Sequence, residues 1–179
     1  AYQALLKGDL HVIGVTPDIW TEAKGSPEAD RLARFVYYRL TVWYVAWNEN
    51  GRMFSDPDVR RAMLLAPDRE PFIENVLAGL ARPAATTYHP DSVWADPEIK
   101  PLPYDPEEAG RLLDAAGWRD RDGDGVREKD GKPFAFTLTM PASTQEIMSR
   151  MAAWMRHSLA QVGVRMEIDS LEWGAFQER

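Results

Sequence analysis

At Thr16-Pro17, Ser26-Pro27, Asp56-Pro57 and Asp105-Pro106 a capping side chain is followed at once by proline. Serine, threonine or aspartate at the N-cap accepts a hydrogen bond from an unpaired helix-end N–H, and proline is preorganised for the first helical position. Each pair therefore marks where a helix begins. The strongest is Asp105-Pro106-Glu107-Glu108, where Glu108 completes a capping box, and this helix runs to Ala116 before Gly117 ends it. The same logic starts helices at Pro17 (through Ala23) and at Pro57 (to about Leu65), with Ser26-Pro27-Glu28 as a repeat of the device. A further helix spans Arg69 to Leu77 and ends at Ala78-Gly79. The first residues read as a helix closing at Lys7-Gly8.

Strand signals fall between these helices. Leu10 to Val15 reads as a short strand. Phe35 to Trp47 is the densest β segment, apolar on both faces and broken only by Arg39, so it should be covered on both sides. Phe134 to Met140 is another strand. In the last, Val164, Met166 and Ile168 alternate with Arg165, Glu167 and Asp169, which leaves one face wet. Between these two, a helix from about Ser143 to Val162 carries Ile147, Met151, Met155, Leu159 and Val162 on one stripe. A short helix follows at Glu172 to Phe176. Residues 80–104 hold Pro83, Pro90, Pro97, Pro101 and Pro103, an irregular stretch with Tyr88, Val93, Trp94, Ile99 and Leu102 to bury. Helices alternating with strands favour an α/β sheet domain.

Composition narrows the function classes. The 179 residues carry a net charge of −7, so no basic field draws nucleic acid. No apolar run approaches the ~18 residues of a membrane span. The absence of cysteine rules out disulfides, thiol catalysis and zinc–thiolate sites. The chain opens without an export signal, which is expected of a cytosolic protein or of a mature piece of something longer. His11, His89 and His157 are scattered, and no zinc-protease, nucleophile-elbow or phosphate-loop pattern occurs, so no enzyme is expected.

Two features remain for binding chemistry. Asp120-Arg121-Asp122-Gly123-Asp124-Gly125-Val126-Arg127-Glu128 matches the first half of an EF-hand calcium loop, with carboxylates at Asp120, Asp122 and Asp124, the carbonyl of Val126, and Glu128. The twelfth position is Gly131 rather than glutamate, and Lys132-Pro133 leads into a strand, so a complete EF-hand is rejected. The alternatives are weak structural calcium and a solvated turn in which aspartate and glycine serve backbone geometry. The second feature is aromatic. Trp43 and Trp47 share a face of a regular Phe35–Trp47 strand and Tyr44 lies on the other, as core packing or as an adaptable wall for a ligand.

Several strings together resemble the family 5 extracellular solute-binding proteins of peptide and nickel ABC transporters. They are Phe54-Ser55-Asp56-Pro57-Asp58-Val59-Arg60-Arg61-Ala62, Asp68-Arg69-Glu70, Val76-Leu77-Ala78-Gly79, Tyr104-Asp105-Pro106-Glu107-Glu108-Ala109 with Leu112-Leu113, Ala115-Ala116-Gly117-Trp118, Asp122-Gly123-Asp124-Gly125-Val126-Arg127 and Leu171-Glu172-Trp173. Their order and spacing follow the family over about residues 45–176. The resemblance implies one lobe of a type II periplasmic-binding-protein-like fold, a mixed sheet flanked by helices. Residues 1–15 would be a crossover segment from a missing first lobe, and residues 16–179 a partial second lobe. The implied function is capture of oligopeptides, or a related small solute, by a periplasmic or extracellular monomer. That monomer would deliver them to an ABC permease and associate with the membrane through the transporter. Trp43, Tyr44 and Trp47 are the candidate ligand contacts. No cofactor is required, and calcium at Asp120, Asp122, Asp124, Val126 and Glu128 would be structural. The competing readings are a calcium-dependent interaction module without a transport role and an enzyme that borrowed the fold.

Overall fold

The computed structural model describes residues 1–143 and 146–178. In chain order the helices are α1 (Tyr2–Lys7), α2 (Pro17–Lys24), α3 (Pro57–Leu65), α4 (Arg69–Val76), α5 (Pro106–Ala115), α6 (Glu146–Ala160) and α7 (Trp173–Glu178). The strands are β1 (Glu128–Lys129), β2 (Lys132–Pro133), β3 (Ala135–Pro141) and β4 (Arg165–Leu171). Thr144 and Gln145, at the expected start of the long helix, lie outside the described residues.

The capping pairs act as their chemistry requires. The Ile19 N–H donates to Thr16 Oγ1, the Asp58 N–H to the Asp56 carboxylate at 2.9 Å, and the Glu108 N–H to that of Asp105 at 2.8 Å. Ser26 opens only a single 3-10 turn, Pro27–Ala29. Its hydroxyl donates instead to Glu28, which holds that carboxyl below its ordinary pKa.

Residues divide into two compact units: Ala1–Val42 with Glu70–Ile99, and Trp43–Arg69 with Lys100 onward. The first unit is helical, and Ala23, Ala29, Phe72, Ile73 and Leu77 are its buried apolar residues. Arg31 donates to the Leu6 carbonyl and Arg34 to that of Ala23 at 3.2 Å. Arg82 pairs with Asp91 and lies 4.6 Å over the Tyr38 ring. His89, buried beside Tyr38, accepts the Asp91 N–H on Nδ1 at 3.1 Å.

The second unit holds the larger core. A β-α-β unit, β3-α6-β4, pairs its strands in parallel from Ala135 opposite Arg165 to Pro141 opposite Leu171. Met155 and Leu159 of α6 are buried with Val162, Val164 and Met166, the stripe and alternation read from sequence. α3 packs on α5 through Val59, Ala62, Met63, Ala109 and Leu113, all essentially inaccessible. Aromatic rings join these layers: Trp118 lies 4.4 Å from Phe134, and Phe54 sits 5.9 Å from Phe134 and 5.2 Å from Phe136. Arg69 closes the gap through which the chain leaves and returns. Its guanidinium donates to the carbonyls of Leu64 (2.6 Å) and Leu102 (3.1 Å), and burial lowers its pKa from the ordinary value. The Asp105 N–H adds a bond to the Leu65 carbonyl at 2.9 Å.

Arg127 ties the unit together. Its side chain donates to the carbonyls of Val162 (2.7 Å) and Trp118 (2.8 Å) and pairs with Asp114. Its backbone N–H bonds the Gly163 carbonyl at 2.8 Å, and its own carbonyl receives the Phe134 N–H at 2.6 Å. Gly163, at φ +77°, makes this approach possible, because a Cβ there would stand 2.8 Å from Arg127 Cγ. Lys129 donates to the Ala116 carbonyl at 2.7 Å, so a second cation sits at the negative end of α5.

Three expectations are corrected. Among the described residues Phe35 to Trp47 and Leu10 to Val15 form no strand, so neither joins a sheet. A strand exists only through a neighbour that receives its N–H and C=O groups, and none of the described residues pairs with either segment. The expected mixed sheet is instead two separate pairs, parallel β3-β4 and antiparallel β1-β2. In the proline-rich stretch Tyr88, Val93, Trp94 and Ile99 are exposed, Leu102 is partly buried, and His89 is the buried residue.

Replacing Arg127 with Met leaves the Trp118 and Val162 carbonyls without their donor, and should lower stability by about 2–3 kcal/mol in urea unfolding. Gly163→Ala should cost ~2 kcal/mol through its left-handed backbone and the clash with Arg127. Shortening the side chain at 127 to Ala should relieve part of that second penalty, so the two changes should combine sub-additively.

Candidate functional site

The acidic loop joins α5 to β1, and its backbone is shaped by its own carboxylates. Asp120 accepts the N–H groups of Gly123 (2.8 Å) and Gly125 (3.0 Å). Asp122 accepts that of Asp124 at 3.1 Å, and Asp124 that of Val126 at 2.8 Å. Gly123 and Gly125 take φ of +80° and +87°, conformations that a side chain would resist. Glu128 turns back and accepts the Arg121 N–H at 3.1 Å and 3.3 Å on its two oxygens. The Arg119 and Glu128 backbones exchange both hydrogen bonds, at 3.1 and 2.9 Å, which closes the loop at its base. Asp130 and Gly131 then turn the β1-β2 hairpin with positive φ of 52° and 70°. The residue where an EF-hand requires glutamate is a hairpin corner here.

The carboxylates of Asp120, Asp122 and Asp124 converge at the exposed tip, each offering one oxygen within 4.8 Å of the others. Donors on opposite sides of a hard cation at ~2.4 Å stand about 5 Å apart, so this spacing can coordinate a metal ion. Asp122 and Asp124 each keep one oxygen outside the loop's hydrogen bonds. Asp120 and Glu128 have both oxygens engaged by N–H groups, each with further lone pairs.

The three aromatic candidates occupy different environments. Trp47 is half-buried, 4.6 Å from Phe54 and edge-on to Phe136 at 5.7 Å, and belongs to the margin of the core. Trp43 is 46% exposed and Tyr44 71%, so both offer ring surface to an incoming molecule. Composition alone did not separate Trp47 from the other two, because the distinction lies in ring contacts with Phe54 and Phe136 that no local pattern marks. His11 and His157 are exposed, and the latter lies 3.1 Å from the side chain of Gln161, just past the end of α6. The interactions around Arg127 were also missed by sequence reasoning. The only signal was a basic residue directly after an acidic turn.

No described helix is long and apolar enough to cross a membrane. The sequence pattern of "Bacterial extracellular solute-binding proteins, family 5 Middle" matches residues 1–179. The oligopeptide-binding protein AppA of Bacillus subtilis (strain 168) is 31% identical over 182 residues, covering 100% of this chain and 33% of AppA. The nickel-binding periplasmic protein of Escherichia coli (strain K12) is 32% identical over 110 residues, 62% of this chain and 21% of its own length. The structure of AppA in complex with a nonapeptide superposes with a TM-score of 0.80 at 29% identity, over 98% of this chain and 34% of that one. NikA from Brucella suis in complex with Fe(III)-EDTA gives 0.69 at 32% identity, over 74% and 26%. The chain thus spans about a third of the length of the curated relative that it matches end to end. Its α/β architecture is that of periplasmic-binding-protein relatives, and the chain belongs to the bacterial extracellular solute-binding proteins of family 5.

Proposed function

We propose that this chain is part of an extracellular or periplasmic solute-binding protein that captures oligopeptides or a related small solute for an ABC permease. The observation that carries the reading is the likeness to AppA along the whole chain, since that protein was solved around a nonapeptide. Residues 1–15 act as a crossover from a first lobe and residues 16–179 as part of a second. The protein works as a monomer whose lobes close by hinge motion around the ligand. Binding, not catalysis, is the task. It needs apolar contact that tolerates varied side chains, and exposed Trp43 and Tyr44 suit that role, whereas Trp47 packs on Phe54 at the margin of the core.

Calcium is the metal we assign to the acidic loop. The donors at its tip, from Asp120, Asp122 and Asp124, are hard carboxylate oxygens, which suit a hard cation, and the Val126 carbonyl and Glu128 are the further ligands of this proposal. Its effect is to stiffen the loop that delivers Arg127 to its partners. The loop's internal hydrogen bonds already satisfy much of its backbone, so binding is weak, on the order of 10⁻⁴–10⁻³ M.

Three outcomes follow. The complete protein should bind peptide near micromolar, whereas residues 1–179 alone should reach only about millimolar, because half of a favourable ~8 kcal/mol is lost with the opposing surface. Equal affinities in calorimetry would remove the two-lobe reading. In the complete protein, Trp43→Ala or Tyr44→Ala should weaken peptide binding about tenfold with little change in unfolding temperature, while Trp47→Ala should cost ~2 kcal/mol of stability. Millimolar calcium should raise the unfolding temperature, and Asp122→Asn with Asp124→Asn should abolish the increase. No response in the parent protein would leave the loop as a purely hydrogen-bonded turn.

A further inference from the structure

In the proline-rich stretch His89 is buried while its apolar neighbours Tyr88, Val93 and Trp94 are exposed. Burying a titratable ring is costly unless its polar atoms are bonded. The His89 Nδ1 accepts the Asp91 N–H at 3.1 Å, and the His89 carbonyl receives the Ser92 N–H at 2.8 Å, so ring and backbone together close the turn of residues 89–92. A ring nitrogen that accepts an N–H holds no proton. The imidazole in this turn is therefore neutral, with its proton on Nε2.

The charged and titratable groups that face this ring, directly or through a shared partner, come from two segments. From its own stretch come Asp91, whose carboxylate lies 3.9 Å from Nδ1, and Arg82, which pairs with that same carboxylate. From residues 35–42 comes Tyr38, whose ring centroid is 6.2 Å from that of His89 and 4.6 Å from the Arg82 guanidinium. At 3.9 Å the imidazole and the carboxylate do not hydrogen-bond. The Asp91 carboxylate is left to Arg82, and it holds that cation over the Tyr38 ring.

We propose that His89, Asp91 and Arg82 form a proton-operated clasp between the turn of residues 89–92 and Tyr38. With His89 neutral, Asp91 gives its N–H to the ring and its carboxylate to Arg82, and Arg82 rests on Tyr38. A proton taken from solvent at Nδ1 turns that nitrogen from acceptor to donor and sets it against the Asp91 N–H, so their bond is lost. The new N–H and its positive charge draw the Asp91 carboxylate across the gap. Arg82 then loses the anion that positions it and meets a second cation nearby, so it leaves the Tyr38 ring. Histidine ordinarily changes charge between about pH 5 and 8, so the clasp is closed toward the upper end of that range and opens toward the lower. The device needs no solute and holds whichever one the protein carries.

Nuclear magnetic resonance on the complete, ligand-free protein, with labelled histidine, arginine and aspartate, tests it. At about pH 8 the His89 ring should show a bare Nδ1 and a protonated Nε2, and the Arg82 side-chain protons should be shifted upfield by the Tyr38 ring. As the pH falls to about 5, the Asp91 amide proton should move upfield with the loss of its acceptor. The Arg82 protons should return to ordinary positions with the same midpoint. In His89→Gln, whose amide oxygen accepts an N–H but cannot titrate, Arg82 should stay shielded throughout. In Asp91→Asn, Arg82 should be unshielded at both ends of the range while His89 still titrates. A proton on Nδ1 at about pH 8, or Arg82 still shielded at about pH 5, would overturn the clasp. The same holds if Arg82 responds equally in His89→Gln or stays shielded in Asp91→Asn. Should His89→Gln fail to fold, the ring tautomer and Asp91→Asn decide the matter. No solute enters the measurement, so the clasp and the transport reading stand or fall separately.

Discussion

The Arg127 guanidinium is the contact on which the larger unit depends. It satisfies carbonyls at the ends of two separate elements, Trp118 after α5 and Val162 after α6, and pairs with Asp114. These segments are remote in sequence and would otherwise present unpaired acceptors to one another. A planar, multidentate cation suits the position, whereas lysine offers a point charge without the fork. Gly163 leaves room for it, and the loop of Asp120 to Gly125 sets the backbone from which it reaches. The acidic turn thus has a structural role whether or not a cation binds at its tip.

This ordering explains why a motif with the look of a metal loop stands beside a hydrophobic core. Each aspartate spends hydrogen-bonding capacity on N–H groups of the turn, and the glycines absorb the positive φ values that result. Three carboxylates at one tip repel one another, so a cation there removes a cost that the fold already bears. The aromatic residues divide in a similar way. Trp47 joins the rings of Phe54 and Phe136, while Trp43 and Tyr44, a few positions earlier, keep their faces open.

Local chemistry was readable and distant chemistry was not. The starts at Pro17, Pro57 and Pro106 were legible because an N-cap and its target N–H lie within three residues. The ends at Gly8, Gly117 and Gly163 were legible because left-handed φ favours glycine. β4 was legible from its alternation and Phe134 to Met140 was read as the strand that is β3; the two pair in parallel across α6. Phe35 to Trp47 has the composition of a strand, but a strand is a relation between two segments, and its composition carries no information about whether a partner is present. His89 and Arg127 were missed for a related reason: their partners are set by packing and no pattern around them announces it.

Arg69 stands where the chain leaves α3 for the excursion that ends near Leu102, and it holds both edges of that opening. Because the excursion is clamped at its base, its length and content are largely decoupled from the core below. Closing a loop twice as long costs only ~0.6 kcal/mol more, and the clamp fixes the same two carbonyls whatever lies between. Residues 70–99 can therefore drift, shorten or grow among descendants of one ancestor while α3 and α5 keep their seats.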